Sequence, residues 1–118
     1  MRYLLSIYVD ESRFANATPE ERERMSNAYV EFTDTVEAAG VLRGGDGLQP
    51  SATATTVRRH KDELLLTDGP FAETREQLGG YYLLDVKDLD EAIEWAGKCP
   101  GAQTGKIELR PIMEFDQA

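Results

Sequence analysis

The sequence predicts an α+β fold in which an antiparallel sheet carries two helices on one face. Three observations predict it. Two stretches, residues 18–39 and 88–98, carry apolar side chains at helical spacing behind residues that cap helices. Around them stand apolar or β-branched runs at 3–9, 52–59, 64–67, 81–86 and 106–113, too short for helices and bounded by turn residues. The resulting order is β-α-β-β-β-α-β within 118 residues, enough chain for one core, so residues 1–118 form a single domain.

In chain order, Tyr3, Leu4, Leu5, Ile7, Tyr8 and Val9 make an almost continuous apolar run, interrupted by Ser6, as a central strand requires. Asp10-Glu11-Ser12-Arg13 ends it. Thr18 caps the first helix, Pro19 suits its first position and Glu21 completes a capping box. Met25, Ala28, Tyr29, Phe32, Val36 and Ala39 then form one face, and Gly40 stops the helix.

The segment 41–50 reads as a Gly-rich loop. It lacks the spacing of a phosphate-binding loop, although Arg43 or Gln49 could reach a pocket rim. Residues 52–59 and 64–67 form a hairpin around the polar turn His60-Lys61-Asp62-Glu63, which puts Asp68 at the end opposite the turn. Residues 81–86 are the next strand. Asp88 caps the second helix with Glu91 three residues on, Leu89, Ala92, Ile93 and Ala96 are its buried stripe, and Lys98 complements its dipole. In the last strand, Pro111 marks an edge or a bulge.

Setting aside the second strand of the hairpin as an insertion leaves the split βαβ pair of a ferredoxin-like fold. Tyr3, Leu5, Ile7 and Tyr81 cannot then all point at helices, so the other sheet face is expected to be apolar and uncovered. A face of that kind predicts a homodimer with sheets packed together.

Composition bounds the function. The net charge of −9, from 22 acidic and 13 basic residues, argues against nucleic acid, whose phosphates call for a basic face, and against an anionic membrane surface. No run of about 18 apolar residues or N-terminal signal segment is present, so the cytoplasm is the expected location. One cysteine and one histidine, on different elements, give neither an internal disulfide nor the ligands of a catalytic metal site, and no cofactor is expected. His60 lies in a polar turn. Cys99, at a helix end before Pro100, reads as packing rather than as a nucleophile.

Unusual chemistry is concentrated in Thr67-Asp68-Gly69-Pro70-Phe71-Ala72-Glu73-Thr74-Arg75-Glu76-Gln77-Leu78-Gly79-Gly80-Tyr81-Tyr82. Asp-Gly-Pro stops the strand, and Phe71 is expected to anchor the turn in the core. This string resembles the signature of the DGPF proteins, a branch of the YCII-related superfamily, as do Leu89-Asp90-Glu91-Ala92-Ile93-Glu94-Trp95-Ala96 and Ile107-Glu108-Leu109-Arg110-Pro111. The resemblance covers nearly the whole chain. It implies a YCII-related (DGPF) domain assembled as a dimeric α+β barrel, with a pocket whose reaction is poorly established. In the wider superfamily a His–Asp pair occupies a dimer pocket. The resemblance places Asp68 as the acid and supplies no histidine beside it, since His60 belongs to the hairpin turn. It also implies a link to extracytoplasmic-function sigma factors.

Asp68 is therefore the candidate catalytic residue, a general base if partly buried at the end of its apolar strand. The alternative is a turn carboxylate that accepts N–H bonds from Gly69 or Phe71. Glu73, Arg75, Arg110 and Tyr81 are candidate ligand-binding residues. Two functions follow: a cofactor-independent acid–base enzyme with a small-molecule pocket at Asp68, or a non-catalytic small-molecule-binding or regulatory protein.

Overall fold

In the computed structural model, residues 1–72 and 74–115 are described. The chain runs β1 (Arg2–Asp10), α1 (Glu11–Ala15), α2 (Pro19–Ala38), β2 (Leu42–Gly47), a 3-10 turn (Ser51–Thr53), β3 (Thr55–His60), β4 (Glu63–Asp68), β5 (Glu76–Asp85), α3 (Leu89–Lys98), α4 (Gly101–Thr104) and β6 (Lys106–Pro111). Four strands form one antiparallel sheet in the order β2-β5-β1-β6, the arrangement of a ferredoxin-like unit. β3 and β4 form a separate two-stranded sheet.

The first long helix forms for the reasons its sequence gives. The Thr18 hydroxyl accepts the Glu21 N–H at 3.1 Å, and the Glu21 carboxylate accepts the Thr18 N–H at 3.2 Å. Phe32 and Val36, one turn apart, are buried on its inner face. Phe32 meets the Tyr82 ring edge-on at 5.2 Å between centroids, and the Tyr82 hydroxyl bonds that of Thr33 at 2.7 Å. Gly40 then adopts φ +78°, the left-handed conformation that ends a helix. In α3, Asp88 caps through the Glu91 N–H at 2.9 Å; of the expected buried stripe Ala92 is buried, whereas Leu89 and Ile93 are 48% and 52% exposed, which corrects that expectation.

Strand alternation decides which sheet residues enter the core. Tyr3, Leu5 and Ile7, two apart along β1, all face the helices with Tyr82 and Leu84. Tyr81, opposite Ser6, faces the other way. The four therefore do not all point at the helices, as expected, and Tyr81 is the one on the other face. The open face is not purely apolar, however: Leu4, Tyr8 and Leu83 share it with Tyr81, Glu108 and Arg110.

Three further expectations are corrected. The segment Leu42–Gly47 is a strand, not a loop, and supplies the edge beside β5. Its glycines hid it, because glycine is depleted in strands. Here it is required: a Cβ on Gly45 would stand 2.8 Å from both the Tyr81 carbonyl oxygen and the Tyr82 ring. With β2 in the sheet, the whole β3–β4 hairpin, not only its second strand, is the insertion. Last, Phe71 does not anchor the turn; it is 90% exposed.

The molecule measures 52 × 46 × 18 Å. Its thin dimension is that of one sheet and one helical layer, so among the described residues no second layer covers the other sheet face. The radius of gyration is 16.5 Å, whereas a compact chain of this length would have about 13.5 Å. The projecting hairpin accounts for the excess.

Candidate functional site

A gathering of polar side chains lies where β1 ends. Asp10 closes the strand and caps α1: its carboxylate accepts the Ser12 N–H at 3.0 Å and the Ser12 hydroxyl at 2.6 Å. Arg75 donates from Nε to the other oxygen at 3.3 Å. The Ser12 bonds, with help from Arg75, hold Asp10 below the usual carboxylate range, so it is ionised at neutral pH. The Asp10 side chain is 20% exposed and that of Arg75 is 89% exposed, so the guanidinium stands at the mouth of the site while the acid lies inside.

Next to Asp10, Glu11 reaches across to the 3-10 turn. One carboxylate oxygen accepts the Ser51 N–H at 2.7 Å and the other accepts the Ser51 hydroxyl at 2.5 Å. That turn enters the β3–β4 hairpin. The returning end is tied down as well: Gly69 N–H bonds the Ala54 carbonyl at 2.7 Å, and the Thr56 hydroxyl bonds the Gly69 carbonyl at 2.8 Å. Gly69 has φ +95°, which explains its place after Asp68. Gln77 organises the following turn, donating its amide to the carbonyls of Ala72 at 3.1 Å and Thr74 at 3.0 Å. That turn carries Arg75.

Asp10, Glu11, Ser51, Pro70, Arg75 and Gln77 together line an open cleft of about 330 Å³. A second open cleft, of about 590 Å³, lies over Tyr8, Glu76, Lys106 and Glu108. Arg75 lines both. Lys106 and Glu76 form an ion pair beside it.

Of the candidate catalytic and ligand-binding residues that lie among the described residues, Asp68, Arg75, Tyr81 and Arg110, only Arg75 lines these clefts. Asp68 is exposed at the end of β4, opposite Thr55 in the hairpin, and Pro70 brings its turn to the cleft wall. Tyr81 donates its hydroxyl to Asp46 at 3.0 Å, which raises the tyrosine's pKa. Arg110 pairs with Glu108 at 2.9 Å. Tyr81 and Arg110 share the open sheet face, on strands separated by β1. Glu73 lies outside the described residues. Asp10, Glu11 and Ser51 were missed. Two adjacent acids at the end of an apolar strand were the available signal for the first two.

Among the described residues, no group of three or more His, Cys, Asp or Glu is placed to hold a metal ion. Nor is any helix among them long and apolar enough to cross a membrane. Cys99 is buried, and burial pushes its thiol up and away from the reactive thiolate.

The family model of the YCII-related domain matches residues 1–116. An uncharacterised protein of Rhizobium meliloti (strain 1021) is 39% identical over 114 residues, covering 95% of this chain and 92% of that protein.

Proposed function

The chain belongs to the YCII-related family, and from that premise we infer a homodimer that binds a small polar molecule in the cleft between Asp10 and Arg75. The observation that carries this reading is the pairing of a sheltered, ionised carboxylate with an exposed guanidinium on a preformed wall. Such a pair offers an acceptor for an amine or hydroxyl and a planar donor for an anionic group, so it suits a small molecule carrying both. The bare sheet face supports the homodimer, because a second copy would cover it.

Geometry favours binding over general acid–base work at this point. Asp10 is held ionised by its partners, whereas a general base needs a pKa closer to neutrality. The acid–base reading centred on Asp68 has less support, since that carboxyl stands exposed on the hairpin.

A metabolite screen by thermal shift tests the binding reading, run on the wild type and on Asp10→Asn, Arg75→Gln and Asp68→Asn. The expected result is a ligand that raises the midpoint of the wild type and of Asp68→Asn, and shifts Arg75→Gln little. A ligand whose effect is lost only in Asp68→Asn would return the site to Asp68 and overturn the Asp10–Arg75 reading.

A further inference from the structure

We propose that the molecule held between Asp10 and Arg75 is an α-amino acid with an uncharged apolar or aromatic side chain, and that this side chain lies along the second cleft against Tyr8. The inference rests on the binding reading above and adds the class of ligand.

Two observations join the clefts. Thr74 and Arg75 line both, and Asp10 of the first stands two residues after Tyr8 of the second in the same strand. Side chains two apart in a strand share a sheet face, about 7 Å from each other. A molecule whose charged end sits at Asp10 therefore reaches Tyr8 with a side chain of ordinary length. At about 330 Å³ the first cleft is small for a ligand pocket, and the second, at about 590 Å³, has room for the rest of the molecule.

The charged end follows from what Arg75 leaves unengaged. Among the described residues it meets Asp10 through Nε alone, so its terminal nitrogens can take a carboxylate side by side. The ionised Asp10 beside it is the counter-charge for an ammonium group.

The side chain follows from charges that are already matched. In the second cleft Glu76 is paired with Lys106, Glu108 with Arg110, and Arg75 with Asp10. A charged side chain there would have to displace a partner from one of these pairs, whereas an uncharged one displaces none. What the cleft offers is the half-buried ring of Tyr8. Lys106 stands opposite it on β6 and adds its aliphatic stem. Leu78 stands opposite it on β5, 40% exposed, and continues the apolar surface.

Isothermal titration calorimetry of the full chain with alanine, norleucine, phenylalanine and glutamate tests the proposal. Each methylene taken out of water strengthens binding about fourfold, so norleucine, with three more than alanine, is expected to bind the wild type at least about tenfold more tightly in an open cleft. Phenylalanine is expected to share that preference, and glutamate to bind no more tightly than alanine. Tyr8→Thr, which keeps a strand-forming residue, is expected to bring norleucine down to the affinity of alanine. Leu4→Thr, on the same sheet face but outside both clefts, is expected to keep the preference. Arg75→Gln is expected to weaken every probe. Equal affinities for alanine, norleucine and phenylalanine, all weakened in Arg75→Gln, overturn the side-chain cleft while leaving the Asp10–Arg75 reading intact. Binding that Arg75→Gln leaves unchanged overturns the Asp10–Arg75 reading itself. A preference for norleucine that survives in folded Tyr8→Thr, or glutamate binding more tightly than alanine, also overturns the proposal. So does a wild type that binds none of the four at millimolar concentration. Far-UV circular dichroism checks the fold of each variant, and if Tyr8→Thr does not fold, the ranking of probes on the wild type decides.

Discussion

The carboxylate of Glu11 accepts both the backbone N–H and the hydroxyl of Ser51, at 2.7 and 2.5 Å, across 40 residues of sequence. It joins the end of the central strand to the entrance of the hairpin. Charge-assisted bonds of this kind contribute roughly 1.5–3 kcal/mol each where they are sheltered, and less where water competes. Glu11→Ala is expected to cost about 1–3 kcal/mol in chemical denaturation, and Ser51→Ala, which keeps the N–H bond, about 1 kcal/mol. Hydrogen exchange gives the sharper check. Amides of β3 and β4 should lose protection in Glu11→Ala while those of β1 and β5 do not, and uniform loss would show that Glu11 does not anchor the hairpin.

Packing at the edge strand makes a second prediction. Gly45 has the Tyr81 carbonyl and the Tyr82 ring where a Cβ would go, whereas Gly47 in the same strand has open space. Gly45→Val is expected to lower stability by roughly 1–3 kcal/mol, and Gly47→Val to change it by no more than about 0.5 kcal/mol. Equal urea midpoints for the two variants would contradict this account of the glycines.

Stability should fall at both ends of the pH scale, for different reasons. Asp10, Asp85 and Glu114 have carboxyls depressed in the folded chain by Ser12, by the N-terminal amine and by Arg2 respectively. A depressed acid favours folding above its unfolded pKa, so this contribution is lost as pH falls below about 4. Burial raises the Tyr29, Tyr82 and Cys99 groups instead. Their contribution is complete below their unfolded values, begins to be lost as pH rises past about 8.5 to 10, and continues to fall towards their raised folded values. Thermal midpoints across pH should therefore show a plateau near neutrality. Asp10→Asn should flatten the acid limb and Tyr29→Phe the alkaline one; a variant curve parallel to the wild type would exclude its residue as a cause.

Much of the fold was legible because it is written locally. The capping box of Thr18 and Glu21, the spacing of Phe32 and Val36, and the apolar run from Tyr3 to Val9 each need only a few neighbouring residues to read. What was not legible depends on partners distant in sequence. Leu42–Gly47 carries no strand composition, and its pairing with β5 becomes visible only once the sheet is assembled. Phe71 shows that apolar character predicts a tendency to be buried but not what does the burying. The candidate site was legible in part. The stretch after Asp68 led to Arg75, but its partner Asp10 lies 65 residues earlier and reads as an ordinary strand end.

Ser51, Ala52 and Pro70 belong at once to the cleft wall and to the two roots of the hairpin. A molecule that settles against that wall touches the same backbone that holds the hairpin in place. A molecule that binds one orientation of the hairpin better than another would shift the balance between them by that difference in affinity, from a site that touches neither β3 nor β4.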